Sequence, residues 1–174
     1  MKIAVCGSGT VLDRKTAEIA AEIGKEIAEN KHILLTGGCC GYPNEAAKAA
    51  FENKGSVIAY SPAKDKKGHA EKYSFPTENF TEIIYTGKGI PGRNLDLVKA
   101  ADAVIIIGGK AGTLNEFTIA FQLGRRIGVL LGSGGISCKI REIAGIIGKN
   151  KDKNNIKYSS GPKELVNEMA ELRT

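Results

Sequence analysis

Metal-binding patterns are missing from this sequence of 174 residues, which has no tryptophan, two histidines and four cysteines. His32 and His69 stand far apart, and Cys39 and Cys40 are adjacent rather than spaced as metal ligands. The other two cysteines occupy strand or helix positions, where they read as small apolar residues. We therefore predict no metal site and four free thiols.

Long apolar runs and export signals are also missing. No apolar stretch approaches the roughly 20 residues that span a bilayer. Residues 1–6 predict a strand that is soon followed by a charged helix, which is not the profile of a signal peptide. Because unpaired cysteines are typical of reducing compartments, we predict a cytoplasmic protein that does not associate with membranes.

The chain carries a modest excess of positive charge, which is not concentrated in one region of the sequence. Lysine and arginine number 25 against 19 acidic residues, which gives a net charge of +6. Lysines gather in two polar stretches, 64–67 and 149–157, and the aromatic residues, 6% of the chain, form no stacking array. This pattern is typical of a solvated surface, so we predict no nucleic-acid partner, although the net charge suits a small anionic ligand.

Strands and helices alternate along the whole chain. Strands are predicted at 2–6, 32–35, 56–60, 82–85, 104–107, 127–131 and 156–158, and helices at 15–29, 43–54, 93–101, 113–123, 138–147 and 162–172. Strands separated by helices predict an α/β fold, with one doubly wound parallel sheet and helices on both faces. We see no internal repeat and no boundary, so residues 1–174 are expected to form one domain. Residues 62–80 lack periodicity and predict a long loop of the kind that often serves as a lid.

Glycine-rich turns follow four of the predicted strands, at 7–10, 36–41, 108–112 and 132–135. The carboxyl ends of parallel strands share one edge of a sheet, and ligands bind there, where the strand order reverses. Thr113 is a suitable helix N-cap, and Glu116 follows it at the spacing of a capping box. The stretch 104–116 is therefore predicted to form a strand, a glycine-rich loop and the start of a helix. Free N–H groups at such a helix start bind phosphate. The simpler interpretation, a tight turn before a capped helix, stays open.

Two common nucleotide-binding motifs are absent. Gly7 and Gly9 begin a dinucleotide fingerprint, but Leu12 stands at its third glycine, and residues 36–38 hold no ribose-binding carboxylate. No phosphate-binding loop of the G-x-x-x-x-G-K-[ST] type occurs either. Ordinary NAD and ATP enzymes are therefore unexpected.

The segment from Pro91-Gly-Arg-Asn to Gly-Thr-Leu-Asn-Glu116 resembles the signature of the LONELY GUY family and its wider Rossmann-like superfamily. That superfamily includes molybdenum cofactor carrier proteins and proteins once labelled "possible lysine decarboxylase". Arg93 lies nine residues before Asp102, and Thr113 lies eleven residues after it, which fits the family register. The resemblance covers about residues 1–131 and implies a Rossmann-like fold.

For function, the resemblance implies a bound purine nucleoside 5′-monophosphate, whose N-glycosidic bond the family's phosphoribohydrolases cut to base and ribose 5-phosphate. Arg93 would be the catalytic arginine, and Glu116 the carboxylate that stabilises an oxocarbenium-like transition state. From the residues alone, Glu116 is equally a capping residue and Arg93 a surface residue. The implied phosphate and nucleotide ligands are Gly7, Ser8, Gly9, Gly37, Gly38, Asn94, Gly108, Gly109, Lys110, Gly112 and Thr113. A homo-oligomer, dimer or tetramer, is implied as well, and no cofactor is required.

Four positions depart from the family pattern. Asn94 replaces a lysine, Lys110 replaces a glycine, Phe117 replaces a second glutamate and Gly108 replaces a proline. The glycine in place of the proline and the short helix-rich tail resemble the cofactor-carrier branch, so the alternative is a non-catalytic carrier or sensor of a molybdopterin-type cofactor or signalling nucleotide. No lysine with an acidic partner fits pyridoxal phosphate, and we reject lysine decarboxylase activity.

Overall fold

The computed structural model describes residues 1–148 and 155–171, which contain seven strands and six helices. The strands are β1 (Lys2–Gly7), β2 (Ile33–Thr36), β3 (Val57–Ser61), β4 (Glu82–Tyr85), β5 (Ala103–Ile107), β6 (Arg126–Leu130) and β7 (Ile156–Ser159). The helices are α1 (Arg14–Glu29), α2 (Tyr42–Glu52), α3 (Gly89–Ala100), α4 (Ala111–Gln122), α5 (Ile140–Ile147) and α6 (Pro162–Ala170). The polar linker predicted at 149–155, except for Asn155, and the helix end predicted at Leu172 lie outside the described residues.

All seven strands form one parallel sheet in the order β4-β3-β2-β1-β5-β6-β7. The predicted α/β class with a doubly wound sheet is confirmed. The strand order reverses at β1, because the chain first builds outward to β4 and then returns to place β5 on the other side of β1. The junction of β1 and β5 is therefore the switch point at which such sheets bind ligands.

Alternating side chains of the strands fill two apolar layers, one on each face of the sheet. Ile3 and Val5 of β1 pack with α1, α2 and α6. Ala4 and Cys6 of the same strand pack with α3, α4 and α5 on the opposite face. All of β5 is buried, which explains its unbroken run of apolar residues. Among the described residues, no helix is long and apolar enough to cross a membrane.

Two helix starts differ from the predictions. Helix α3 begins at Gly89 rather than at Arg93, because a proline such as Pro91 is tolerated in the first turn of a helix. Helix α4 begins at Ala111, with Lys110 as its N-cap, so the predicted capping box of Thr113 and Glu116 is wrong. Thr113 already lies within the helix, where its side chain packs directly over the bare Cα of Gly109.

The stretch 62–80, predicted as a loop without periodic structure, contains a π-helical turn at Gly68–Lys72. Its histidine, His69, is fully buried although the sequence shows no apolar pattern around it. Contacts with Tyr85 and Gly38 help to bury its imidazole, and a window of local sequence does not contain these residues. Lid movement of this segment stays a prediction.

The contact between α1 and α2 yields a test of packing. A Cβ added at Gly24 would collide with the main-chain carbonyl of Ala46, so Gly24→Ala should lower the free energy of unfolding by about 1–3 kcal/mol. Gly145→Ala in α5 is the matched control, since its Cβ would meet nothing within 4 Å. That variant should gain about 0.5–1 kcal/mol from reduced backbone freedom. Urea unfolding measures both, and equal effects would contradict the assigned packing.

Candidate functional site

A cavity of about 450 Å³ opens at the carboxyl edge of the sheet, beside the switch point. The loops after β1 and β2, the first turns of α3 and α4, and residues 73–75 form its walls. This volume lies within the range of about 300–1,000 Å³ that is typical of small-molecule sites. The cavity is therefore the candidate site, and we call it the switch-point pocket.

Most of the residues predicted for the site line this pocket. They are Gly7, Ser8, Gly9, Gly37, Arg93, Asn94, Lys110, Gly112, Thr113 and Glu116. Residues separated by more than 100 positions in the sequence thus meet in one place. Their individual roles in binding or catalysis stay predictions.

Three predicted residues do not line the pocket. The N–H of Gly108 donates to Ser133 Oγ at 2.9 Å, and the carbonyl of Gly109 accepts from the N–H of Ile136 at 2.9 Å. Both glycines therefore hold the loop that follows β6. Gly38, with φ of 67°, lies against the imidazole of His69 instead of facing the pocket.

Arg93 and Glu116 form a buried ion pair in the wall of the pocket. Arg93 Nη1 donates to Glu116 Oε1 at 3.1 Å, which joins the first turns of α3 and α4. Their side chains are only 5% and 8% exposed. The guanidinium packs on the main chain of Gly37, where a Cβ would collide with it. Neither residue has the surface or capping position that its sequence context alone allowed.

The electrostatics of the pair follow from its burial. Burial raises the pKa of Glu116, while the Arg93 charge and the hydrogen bonds from Cys6 and Arg93 oppose that rise. Burial first, and then the Glu116 charge, raise the pKa of the Cys6 thiol well above its ordinary value of 9.0. Burial also raises the pKa of the Cys39 thiol to about 11. At neutral pH both thiols are protonated, so they are poor nucleophiles and serve as weak hydrogen-bond donors.

Two buried polar atoms beside the pocket have no hydrogen-bond partner among the described residues, Arg93 Nε and Asn94 Oδ1. The Asn94 amide nitrogen is satisfied, because it donates to Asn115 Oδ1 at 2.9 Å. Buried polar groups without a hydrogen-bond partner are rare in native proteins, and they often mark a site where a water molecule, an ion or a ligand binds. One donor and one acceptor in the wall of the pocket are therefore left without a protein partner in the part of the chain that the structure describes.

The start of α4 offers a second set of free donors. No side chain caps this helix, so its first N–H groups are open at the positive end of the helix dipole. Gly112 adds space, since a Cβ there would meet no atom within 4 Å. Ser8 is less available than predicted, because its hydroxyl donates to the Thr10 carbonyl at 2.7 Å and accepts from the Thr10 N–H at 3.2 Å.

Several pocket residues were missed from the sequence. They are Val5, Cys6, Thr10, Cys39, Cys40, Pro43, Tyr73, Ser74, Phe75 and Ile90. Those in the turns after β1 and β2 adjoin predicted ligands and could have been included by position. Tyr73–Phe75 could not, because they reach the pocket only through the fold of 62–80. Within residues 1–148 and 155–171, no group of three or more His, Cys, Asp or Glu side chains is placed to hold a metal ion.

A parallel sheet with its pocket at the switch point, walled by a glycine loop and an uncapped helix start, defines a Rossmann-like α/β protein. Comparison with known families is more specific. The chain belongs to the SLOG cluster4 family, whose model matches residues 1–166. The predicted LONELY GUY and molybdenum-cofactor-carrier-like superfamily is thereby confirmed.

Similar proteins extend this assignment. An uncharacterised protein of Archaeoglobus fulgidus is 36% identical over 131 residues, which are 75% of this chain and 80% of that protein. The molybdenum cofactor binding protein of Rippkaea orientalis has a similar structure, with 25% identity and a TM-score of 0.80 over 98% of this chain and 97% of the other. The molybdenum cofactor carrier protein of Chlamydomonas reinhardtii is 22% identical, with a TM-score of 0.77 over 95% and 93% of the two chains. DNA processing protein A of Helicobacter pylori shares the fold, at 17% identity and a TM-score of 0.69 over 98% and 80%.

Removing one partner of the buried pair should cost stability in a pH-dependent way. Arg93→Met deletes the charge that lowers the pKa of Glu116, so this pKa rises further above its ordinary value of 4.5. The folded variant then binds a proton that the unfolded chain releases, and stability is lost as the pH rises above that value. Relative to the unchanged protein, we expect a loss of about 3–5 kcal/mol near neutral pH and a smaller loss near about pH 5.

Urea unfolding at both pH values measures this loss. The double variant Arg93→Met with Glu116→Gln should abolish its pH dependence, since the carboxyl of the pair is gone. Lys88→Met is the surface control, because Lys88 Nζ pairs with Asp96 Oδ2 at 2.9 Å while more than half exposed, and it should cost no more than about 1 kcal/mol. A loss that does not grow with pH would show that Glu116 is not held by Arg93.

Proposed function

We propose that this chain binds a small phosphorylated ligand, of the nucleotide or molybdopterin type, in the switch-point pocket and acts as its carrier or sensor. The observation that carries the proposal is the buried Arg93, whose Nε lacks a partner among the described residues, beside the uncapped start of α4. The Nε–H of Arg93 and the row of free N–H groups together suit an anion, while Glu116 already compensates the charge of the guanidinium. Phosphate has the size and the charge to accept hydrogen bonds from Arg93 and from these N–H groups.

The phosphate is expected at the start of α4. Gly112 leaves open space there, and the exposed Lys110 adds a positive charge at the N-cap position. A lysine in place of the family's glycine is thus compatible with a phosphate, because its side chain is free to extend over the ligand. The buried acceptor Asn94 Oδ1 would take a donor from the ligand itself.

The carrier interpretation is supported by the relatives. Two proteins with similar structures over nearly the whole chain are a molybdenum cofactor binding protein and a molybdenum cofactor carrier protein. The protonated state of Cys6 and Cys39 also suits storage, since neither thiol would attack a bound molecule. The likeness to DNA processing protein A, at 17–18% identity, extends to the fold alone. A homo-oligomer remains part of the proposal.

Hydrolysis is the second candidate, and the placement of Glu116 in the pocket wall favours it. A carboxylate beside the ribose stabilises the positive charge that develops when a glycosidic bond breaks. Against this candidate, Arg93 already neutralises the carboxylate, and burial favours the protonated form of Glu116. A carboxylate whose charge is already compensated by Arg93 stabilises an oxocarbenium ion less well, which is why we place binding first.

Gly112→Met should block binding without harming the fold. Its side chain would extend from a position with no neighbour within 4 Å, in a helix that tolerates methionine well. With AMP and GMP as probes, we expect titration calorimetry to show at least about a tenfold loss of affinity. Gly145→Met is the control, because that glycine is equally unobstructed in α5 and is not among the residues that line the pocket. Unchanged affinity in Gly112→Met would place the ligand elsewhere.

Hydrolysis is tested by incubating the protein with AMP or GMP and separating free base by chromatography. The carrier proposal expects no release of base by the unchanged protein or by Glu116→Gln, while both bind nucleotide. Release that falls by about a hundredfold or more in Glu116→Gln would instead establish the phosphoribohydrolase. Release that is equal in both proteins would point to a contaminating enzyme.

A further inference from the structure

The segment 62–80 brings two aromatic rings to the switch-point pocket. Tyr73 and Phe75 both line it, with ring centroids 5.5 Å apart and ring planes inclined by 38°. Apolar side chains of Val5, Pro43 and Ile90 also contribute to the lining. The pocket therefore combines an apolar, aromatic part with the polar part built by Arg93 and the start of α4.

Resting on the proposed function, we infer that Tyr73 and Phe75 select ligands with a flat heteroaromatic ring, and that His69 is the positioning residue that holds them at the pocket. Flat rings stack on aromatic side chains whatever their exact substituents, since every such ring has a π-face. The phosphate site alone would accept any small phosphate ester, so this pair supplies the selectivity.

His69 fixes the segment through two hydrogen bonds in a fully buried position. Its Nδ1 lies 2.8 Å from Ser61 Oγ, and its Nε2 lies 2.8 Å from the carbonyl of Pro76. Because a carbonyl only accepts, Nε2 is the donor in the second bond. Ser61 Oγ accepts from the N–H of Ala63 at 3.1 Å, which leaves its own hydrogen to donate to Nδ1. The imidazole thus links the end of β3 to the residue that follows Phe75.

Contacts around the imidazole orient Phe75. The two rings meet edge to face, with centroids 5.6 Å apart and an interplanar angle of 78°. Tyr85 at the end of β4 holds the imidazole in a second edge-to-face contact at 6.0 Å. Gly38 provides room for it, because a Cβ there would lie 3.1 Å from His69 Cε1. Gly38, which does not line the pocket, thereby acts on it through His69.

Backbone strain marks the point between the two rings. Ser74 has a φ of 52°, a left-handed conformation that few residues other than glycine adopt. The Cys40 thiol, at the pocket lining, donates to the Ser74 carbonyl at 3.8 Å. Strained residues persist only where surrounding contacts enforce them, and they gather at ligand clamps. This conformation lies between two residues whose rings both line the pocket.

The test compares GMP with ribose 5-phosphate, which has the same phosphate and sugar but no ring system. The unchanged protein should bind GMP about tenfold to a hundredfold more tightly. The double variant Tyr73→Leu with Phe75→Leu should lose most of this preference while its affinity for ribose 5-phosphate stays unchanged. Tyr73→Phe keeps a ring and should retain the preference.

His69→Asn tests the positioning role, because it removes the link between Ser61 and Pro76 without touching the pocket. It should reduce the preference for GMP and leave the affinity for ribose 5-phosphate in place, a separation that general destabilisation would not produce. The inference is overturned, and the proposed function is not, if the unchanged protein binds GMP and ribose 5-phosphate with equal affinity. The same holds if the leucine variant loses affinity for both probes equally. Failure of both probes to bind the unchanged protein overturns the proposed function together with it.

Discussion

The parallel pairing of β1 with β5 is the contact on which the site depends. These strands lie about 100 residues apart in the sequence, and their register runs from Ile3 beside Ala103 to Gly7 beside Ile107. At one end, the carboxylate of Asp102 accepts from the N–H of Lys2 at 2.7 Å. At the other end, Gly7 lies so close to the carbonyl of Ile107 that a Cβ would collide with it. The loops after β1 and β2 and the start of α4, which follows β5, take their positions in the pocket from this pair and its neighbour.

The glycines of the glycine-rich turns have two different structural roles. Gly7 and Gly108 allow main chains to approach one another, and Gly109 makes room for the side chain of Thr113, whereas Gly112 leaves space that the protein does not fill. Glycine in such a turn is therefore not by itself a sign of ligand contact. The distinction matters here because the same short sequence serves both purposes on either side of Lys110.

The sequence predicted the sheet well because each strand is a compact apolar run between turn residues, and β5 is buried along its whole length. The sequence also predicted the edge of the sheet at which Arg93 and Glu116 meet. This prediction needed only the spacing of the motif from 91 to 116 and the parallel direction of the strands. Prediction from the sequence failed where non-local contacts decide the outcome. Thr113 has the local pattern of an N-cap, yet the helix starts earlier. The burial of His69 depends on partners in β3, β4 and the turn after β2, which no local window contains.

The order in which the chain is synthesised gives the pairing of β1 with β5 a further consequence. A ribosome that adds about 5–20 residues per second needs about 5–20 seconds between the end of β1 and the end of β5. During that interval β1 offers an unpaired apolar edge, of the kind that invites association with other chains. Contacts this distant also slow folding, because the loop must close before they contribute. A ligand held in the switch-point pocket would thus report that this long-range pairing has formed, because residues on both sides of it line the pocket.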